Sequence, residues 1–337
     1  MKSIIVTGGA GFIGANFVPY MVEKYPNYKI INLDLLTYAA NLDNIKEVEG
    51  KDNYKFVKGD ICDRTLVEKV FNEEDVRGVI HFAAESHVDN SITGPEAFIR
   101  TNVMGTFTLL DVARNYWMEA PHKFKPGYET CRFHHVSTDE VYGDLDFDDT
   151  LFEETTPYNP SSPYSASKAS SDFIVKSYAR TYGMDISVSN CSNNYGPKQH
   201  NEKLIPKIIS NCLEGKSLPI YGDGLNVRDW LYVLDHCKGI DLVYHKGERT
   251  ETYNIGGRNE KTNIDIVKII CSILDEKRPR EDGSKYESLI TYVKDRAGHD
   301  KRYAIDATKI EKGLNWKADE NFETGIVKTI DWYLDNL

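Results

Sequence analysis

Tyr164 and Lys168 stand four residues apart in Tyr164-Ser165-Ala166-Ser167-Lys168, at the head of a stretch with helical spacing that runs to about Tyr182. On a helix such a pair shares a face. The lysine ammonium can then sit beside the phenol and favour phenolate, lowering a pKa that is about 10 in free tyrosine. A phenolate so poised takes the proton from an alcohol while a hydride leaves the same carbon. Upstream, Ser137-Thr138-Asp139-Glu140-Val141-Tyr142-Gly143 sets two acids side by side. Strand alternation would send Asp139 and Glu140 to opposite faces. For both to reach one substrate the chain must leave extended geometry at Thr138, and the following Gly143 makes that plausible. Taken singly, the first motif reads as a surface helix pair and the second as two acids capping a helix or facing water.

A third motif changes that weighting. Thr7-Gly8-Gly9-Ala10-Gly11-Phe12-Ile13-Gly14 follows the first apolar run and opens the first helical stretch. One glycine makes a tight turn, one lets a pyrophosphate approach the backbone, and one lets helix pack closely on strand. The helix N-terminus then presents free N–H groups and a positive dipole end to phosphate. Asp34 ends the next strand, 20 residues after Gly14. An acid there accepts from adenosine ribose hydroxyls and repels the extra phosphate of NADP, so NAD is the expected cofactor. Asp60, after the third strand, reads equally as an adenine contact or a helix N-cap.

The elements that must carry these residues alternate. Strand-like runs at Ile4–Thr7, Lys29–Asp34, Tyr54–Val57, Gly78–Ala83 and Arg132–Thr138 are short and β-branched or aromatic. Helical stretches at Phe12–Tyr25, Arg64–Asn72 and Pro95–Asn115 lie between them. This rhythm predicts an α/β fold, a Rossmann-type doubly wound parallel sheet with helices on both faces. A further strand is expected at Asp185–Asn190, then a turn at Asn193-Asn194-Tyr195-Gly196-Pro197. Beyond it the spacing predicts helices at Glu202–Leu213, Asn263–Leu274 and Glu323–Leu334, strands at Thr252–Ile255 and Leu289–Val293, and a solvated loop at Glu276–Lys285. The expected organisation is a dinucleotide-binding domain over residues 1–190 that includes the catalytic residues. A smaller C-terminal α/β substrate-binding lobe follows over 191–337, with some chain exchange between the two.

Bulk properties narrow the class. The chain has 337 residues, 40% of them hydrophobic, and a formal charge of −11. That is apolar material enough for a sizeable core and a poor surface for nucleic acid, which needs a basic footprint. The six cysteines are scattered without metal-ligand spacing, so reduced thiols and no metal are expected. The start lacks a leader-like apolar region and no stretch approaches a membrane span, so a cytoplasmic protein is expected.

Over the first 200 residues the sequence resembles the extended short-chain dehydrogenases. Several blocks are similar to the dTDP-glucose 4,6-dehydratases among them: Phe82-Ala83-Ala84-Glu85-Ser86-His87-Val88-Asp89, Ser137–Asp144, Ser161–Ser170 and Asn190–Pro197. The resemblance continues through Lys203–Pro206, Leu218–Gly222, Val227–Val233, Tyr253–Gly257 and Asp295–Asp300 to Trp332–Leu334, so it covers nearly the whole chain. The Asp139-Glu140 pair is its specific part, because epimerases of the family lack it.

The resemblance implies a dehydration through tightly held NAD. Tyr164, assisted by Lys168 and Thr138, would take the hydroxyl proton at glucose carbon 4. Glu140 would remove the carbon 5 hydrogen, and Asp139 would protonate the departing carbon 6 hydroxyl. The 4-keto-6-deoxy product would serve deoxysugar synthesis of the rhamnose type. Gly8, Gly11, Phe12, Ile13, Gly14, Asp34, Thr37, Asp60, Ile61, Phe82, Ala83, Ala84, Thr101 and Asn194, with Tyr164 and Lys168, would meet the cofactor. Ser86, Thr138, Asn193, Lys203, Leu204, Pro219, Tyr221, Arg228, Asn263, Arg296 and His299 would meet the sugar nucleotide. Arg228 and Arg296 suit its diphosphate. The family also implies a homodimer built from Pro95–Asn115 and Tyr164–Tyr182. Two positions depart from its pattern: Ala297 stands for a usual proline and Asn90 for a usual arginine. Rival readings are a 4-epimerase, which needs no Asp139 or Glu140, a non-catalytic NAD sensor, and a dehydratase acting on a UDP-, CDP- or GDP-linked sugar.

Overall fold

The computed structural model describes residues 1–336; Leu337, the last residue of the expected C-terminal lobe, lies outside them. The chain opens with β1 (Lys2–Thr7), α1 (Phe12–Lys24), β2 (Tyr28–Asp34), β3 (Tyr54–Lys58), α2 (Arg64–Glu74) and β4 (Val76–His81). Three helical segments follow, α3 (Val88–Thr93), α4 (Pro95–Phe98) and α5 (Thr106–Trp117), then a small hairpin of β5 (Met118–Ala120) and β6 (Lys123–Phe124). β7 (Arg132–Thr138), α6 (Pro163–Tyr182) and β8 (Ile186–Cys191) complete the first part. The remainder holds β9 (Asn193–Tyr195), α7 (Leu204–Leu213), β10 (Leu218–Tyr221), β11 (Val227–Tyr232), α8 (Val233–Lys246), β12 (Thr252–Ile255) and β13 (Glu260–Thr262). It ends with α9 (Asn263–Lys277), β14 (Ile290–Val293), α10 (Thr308–Leu314) and α11 (Phe322–Asn336).

Seven strands form one parallel sheet in the order β12-β8-β7-β4-β1-β2-β3. Successive side chains of a strand point to opposite faces, and the core divides accordingly. Ile4 and Val6 join Phe17, Val18, Ile240 and Val243 from α1 and α8 on one face. Ile5, Ile31, Val79 and Phe133 join Val67, Leu109 and Val175 from α2, α5 and α6 on the other. Burial on both faces explains why the strands read as nearly unbroken apolar runs. A separate core gathers Ile205, Ile209, Trp230, Ile266, Ile270, Phe322 and Ile330 from α7, β11, α9 and α11.

The strand order reverses between β1 and β4, leaving a crevice beyond their carboxyl ends. The glycine loop fills that point. A Cβ on Gly14 would overlap the Gly8 carbonyl oxygen and lie 2.6 Å from the Gly9 Cα, so α1 can approach the turn only with glycine there.

Most expected elements match within two residues, and the departures have local causes. Asn193–Tyr195, expected as a turn, is β9, because it pairs with Trp230–Tyr232 of β11. The helix expected over Pro95–Asn115 contains a π-helical segment, Ile99–Gly105. There Asn102 turns inward, bonding the Glu85 backbone N–H (2.8 Å) and carbonyl (3.0 Å) and the Ser167 hydroxyl (2.8 Å). α7 begins at Leu204 rather than Glu202, which frees Lys203 to reach the Ser86 carbonyl at 3.0 Å. α9 runs on to Lys277 before the exposed loop. β10, β11 and β13 form strands where none was expected.

Gly14→Ala must push the Gly8–Gly9 turn outward, and overpacking of this kind costs about 1–3 kcal/mol. Denaturant unfolding should show that loss; an unchanged midpoint would mean that the turn has slack.

Candidate functional site

β7 runs extended to Thr138 and stops there. Thr138 caps a single 3-10 turn, Asp139–Tyr142, its hydroxyl accepting from the Glu140 N–H at 3.3 Å. Gly143 leaves the turn at φ 95°, tight against the Asn159 carbonyl, a conformation that favours glycine. The tight turn therefore breaks the strand's alternation immediately after Thr138, and Asp139 and Glu140 both line the same cavity of about 300 Å³. They sit in it differently. Asp139 is shut into the protein at 1% exposure, whereas Glu140 opens to the lumen.

Their electrostatics follow. Burial, then the charges of Glu140 and Asp229, hold the Asp139 carboxyl well above the usual range. Its Oδ1 accepts from the Thr138 hydroxyl at 3.3 Å, and its Oδ2 is buried without a partner. Burial also raises Glu140, but Arg296, Arg228 and Lys203 all favour its ionised form. One acid is kept neutral while its neighbour has three cations at hand.

Opposite them, Pro163 and a capping box between Ser162 and Ser165 start α6, which brings Tyr164 and Lys168 into the same cavity. The expected lowering of the Tyr164 pKa does not hold in this structure. Burial and then the Glu140 charge push the phenol well above its ordinary value, with the Thr138 hydroxyl pulling the other way. Lys168 donates instead to the Val136 carbonyl at 2.8 Å.

The other end of this cavity is the glycine loop, where Gly11, Phe12, Ile13 and Gly14 line the wall. Gly11 caps α1 without a side-chain bond, and its first turn carries no acid, so its N–H groups face the cavity unneutralised. Asp34 sits at the rim, its two oxygens accepting from the Ala10 and Leu36 N–H groups at 2.9 and 2.8 Å. A free helix N-terminus in a glycine cradle, an acid at the next strand's end and orphaned Ser192 and Asn193 oxygens fit a dinucleotide well. Thr37, Phe82, Ala84 and Asn194 line the wall as well. Gly8, Asp60, Ile61, Ala83 and Thr101 lie outside it. Gly8 (φ 70°) packs against Ala83 behind the turn, and Ile61 belongs to the core. Asp60 is not the helix cap, which is Asp63; it accepts from the Cys62 N–H and from Arg100.

A second cavity of about 300 Å³ adjoins the first and shares Ser86, Glu140, Asn193, Glu202 and Lys203 with it. Leu204, Pro219, Tyr221, Arg228, Asn263, Arg296 and His299 line it, as expected of the sugar-nucleotide set, while Thr138 stays on the first cavity's wall. Lys203, Lys207, Arg228 and Arg296 make it locally basic in a protein of charge −11. The Arg296 Nε is buried without a partner, and Asp89 stands 3.8 Å from the guanidinium. Arg228 stacks on Tyr303 and donates to the Asp300 carbonyl at 2.9 Å. Sequence reasoning missed His87, Asp89, Lys207 and Trp230 here, and Val136, Ser137, Cys191, Gln199 and His200 in the first cavity. Only His87 and Ser137 adjoin a residue chosen from the sequence; the others enter the walls through folded loops and long-range packing that no local pattern reveals. The two departures from the family pattern lie at the margins. Asn90 is 3.4 Å from the Tyr38 hydroxyl, and Ala297 precedes Gly298 (φ 66°) in the loop carrying Arg296 and His299.

A family model described as GDP-mannose 4,6 dehydratase matches residues 5–329. The dTDP-glucose 4,6-dehydratase of Neisseria gonorrhoeae is 53% identical over 337 residues, spanning 99% of this chain and 96% of the relative. The chain belongs to the nucleotide-sugar 4,6-dehydratase family. Among solved members, the Bacillus anthracis dTDP-glucose 4,6-dehydratase, in complex with NAD, is 49% identical at a TM-score of 0.86, with 100% and 97% of the two chains covered. The Streptomyces venezuelae dTDP-glucose 4,6-dehydratase DesIV, also with NAD bound, is 43% identical at a TM-score of 0.89, with 99% and 98% covered. The dehydratase fold thus extends over both cavities of this chain.

Because burial keeps Asp139 neutral, the native state holds a proton that the unfolded chain releases as pH rises past the free carboxyl value of about 4. Its burial therefore destabilises the protein above that value and not below it. Asp139→Asn should raise the melting temperature at about pH 8, with a gain that shrinks towards about pH 4. A pH-independent difference would contradict the assignment.

Proposed function

We propose that this chain is a dTDP-glucose 4,6-dehydratase, converting dTDP-glucose to dTDP-4-keto-6-deoxy-glucose and water through a tightly held NAD. The observation that carries the reading is the turn after β7, which brings a neutral Asp139 and a cation-flanked Glu140 into one cavity with Tyr164 and Lys168. A 4-epimerase needs only the last two.

Gly11–Gly14 and the α1 N-terminus would hold the pyrophosphate of NAD, and Asp34 its adenosine ribose. When bound, NAD supplies a hydride acceptor at carbon 4 and later the donor at carbon 6. Tyr164, with Lys168 and Thr138 beside it, takes the carbon 4 hydroxyl proton. Burial and then the Glu140 charge hold its pKa above the ordinary value, and the positive charges of Lys168 and of the bound nicotinamide would favour the phenolate that acts as base. The ketone acidifies carbon 5, and Glu140 removes that proton. Asp139 gives its proton to the carbon 6 hydroxyl, which leaves as water. Glu140 returns its proton to carbon 5 at the final reduction. One proton then remains on Tyr164 and one is missing from Asp139, and Thr138 stands beside both groups.

The second cavity would take the nucleotide diphosphate, with Arg228, Arg296 and Lys203 as its cationic wall. dTDP is favoured over other nucleotides because the full-length relatives at 53% and 49% identity are named for it. A homodimer would form through Pro95–Asn115 and Tyr164–Tyr182, where Ile99, Met104 and Phe173 are each about half exposed to solvent. Its product would serve deoxysugar synthesis of the rhamnose type. All six cysteines are free, as suits a reducing cytoplasm.

The test uses purified protein with no added cofactor. dTDP-glucose should lose the mass of one water with no net reduced nicotinamide, and UDP-glucose should react far more slowly. An unchanged mass, with and without added NAD, would refute the reading. Tyr164→Phe should abolish oxidation. Glu140→Gln should still accumulate reduced nicotinamide while elimination falls by about 100-fold or more; normal turnover would remove Glu140 as the base.

A further inference from the structure

One face of α6 carries a charged group that the steps above leave idle. Asp172 lies one helical turn beyond Lys168 and is fully buried. Ser137 donates to its Oδ2 at 2.9 Å and Tyr158 at 3.0 Å. Its Oδ1 stands 3.2 Å from His135 Nε2 and has no hydrogen-bond partner. The groups facing it are Lys168 and Lys176 from α6, His135 from β7, Tyr142 from the 3-10 turn after β7, and Tyr158 from the loop before α6. Lys176 is itself tied to the Tyr158 hydroxyl at 3.1 Å.

A buried ammonium needs a buried anion, because desolvation otherwise drives it neutral. Around Lys168 the candidates are few. The charges acting on its ammonium are those of Asp172 and then Cys191. Burial holds the Cys191 thiol far above its ordinary value, so it carries no charge near neutral pH. Burial keeps His81 and His135 neutral, and Asp139 is protonated. The geometry is equally direct. Lys168 bonds the Val136 carbonyl, and Asp172 bonds the hydroxyl of the next residue, Ser137, so two adjacent positions of β7 are clamped to two adjacent turns of α6.

We propose that Asp172 is the positioning residue for Lys168: its buried carboxylate supplies the counter-charge and, through Ser137, fixes the strand position to which the ammonium is bonded. This rests on the dehydratase reading of the site. Burial pushes the Asp172 carboxyl up to about 6, with Lys168 foremost among the influences opposing it. The clamp is therefore fully charged only above that pH.

The test isolates the first half-reaction in a Glu140→Gln background, where reduced nicotinamide accumulates, and follows its rate of appearance against pH with dTDP-glucose. Adding Asp172→Asn, nearly isosteric and still able to accept from Ser137, should move the alkaline limb down by about one pH unit and flatten the acid limb. The substrate dissociation constant should stay within about twofold. Ser137→Ala, which keeps the charge but removes a donor, should move the acid limb up and leave the alkaline limb in place. It carries the test alone if Asp172→Asn does not fold. A uniform rate loss without movement of either limb, or an unmoved acid limb in Ser137→Ala, would overturn the proposal. Failure of Glu140→Gln alone to form reduced nicotinamide would instead overturn the reading of the site.

Discussion

Two carboxyl groups on adjacent buried residues disfavour each other's ionised form, and the site depends on which one yields. Asp139 is enclosed and Glu140 meets the cavity beside Arg228, Arg296 and Lys203. Burial alone would raise both. Arg296 and Lys203, with Arg228 acting on both acids, pull against the burial of Glu140, whereas Asp139 is held well above the usual range, which favours a proton on the residue that must later give one up. The cost is a destabilised neutral acid in the core, at the kind of position where stability is exchanged for function.

The fold makes this arrangement possible through two interruptions of regular structure. The strand order of the parallel sheet reverses between β1 and β4, opening beyond their carboxyl ends a crevice into which the glycine turn, Asp34 and the tip of β7 all project. β7 then ends in a single 3-10 turn closed by Gly143, which carries Asp139 and Glu140 round to the cavity. α6 is clamped to β7 by Lys168 and Asp172, so the phenol and the carboxyl pair are mounted on one rigid unit. The basic wall arrives separately, from α7, β11 and the loop of Arg296 and His299.

Much of this was legible before folding. Strand–helix alternation, Gly8–Gly14 with Asp34, and the spacing of Tyr164 and Lys168 are local patterns whose physics is contained within a few residues. Arg132–Thr138 and Thr252–Ile255 were bounded to the residue for that reason. What escaped was long-range. Asn193–Tyr195 looks like a turn until β11 pairs with it, and the π segment exists because Asn102 bonds Glu85 and Ser167. The sugar-nucleotide wall was assigned from resemblance, since no local pattern brings residues 203, 228 and 296 together. The tyrosine–lysine pair shows the opposite failure. Spacing alone implied a lowered phenol pKa, but burial dominates once the cavity walls are present.

The central claim is that one hydride leaves and returns to the same sugar at different carbons. The direct test is dTDP-glucose deuterated at carbon 4, incubated with the purified protein and analysed by NMR. Deuterium at carbon 6 of a 4-keto-6-deoxy product, without dilution by unlabelled substrate mixed in, is the predicted result. Deuterium retained at carbon 4 or lost to the medium would contradict the account.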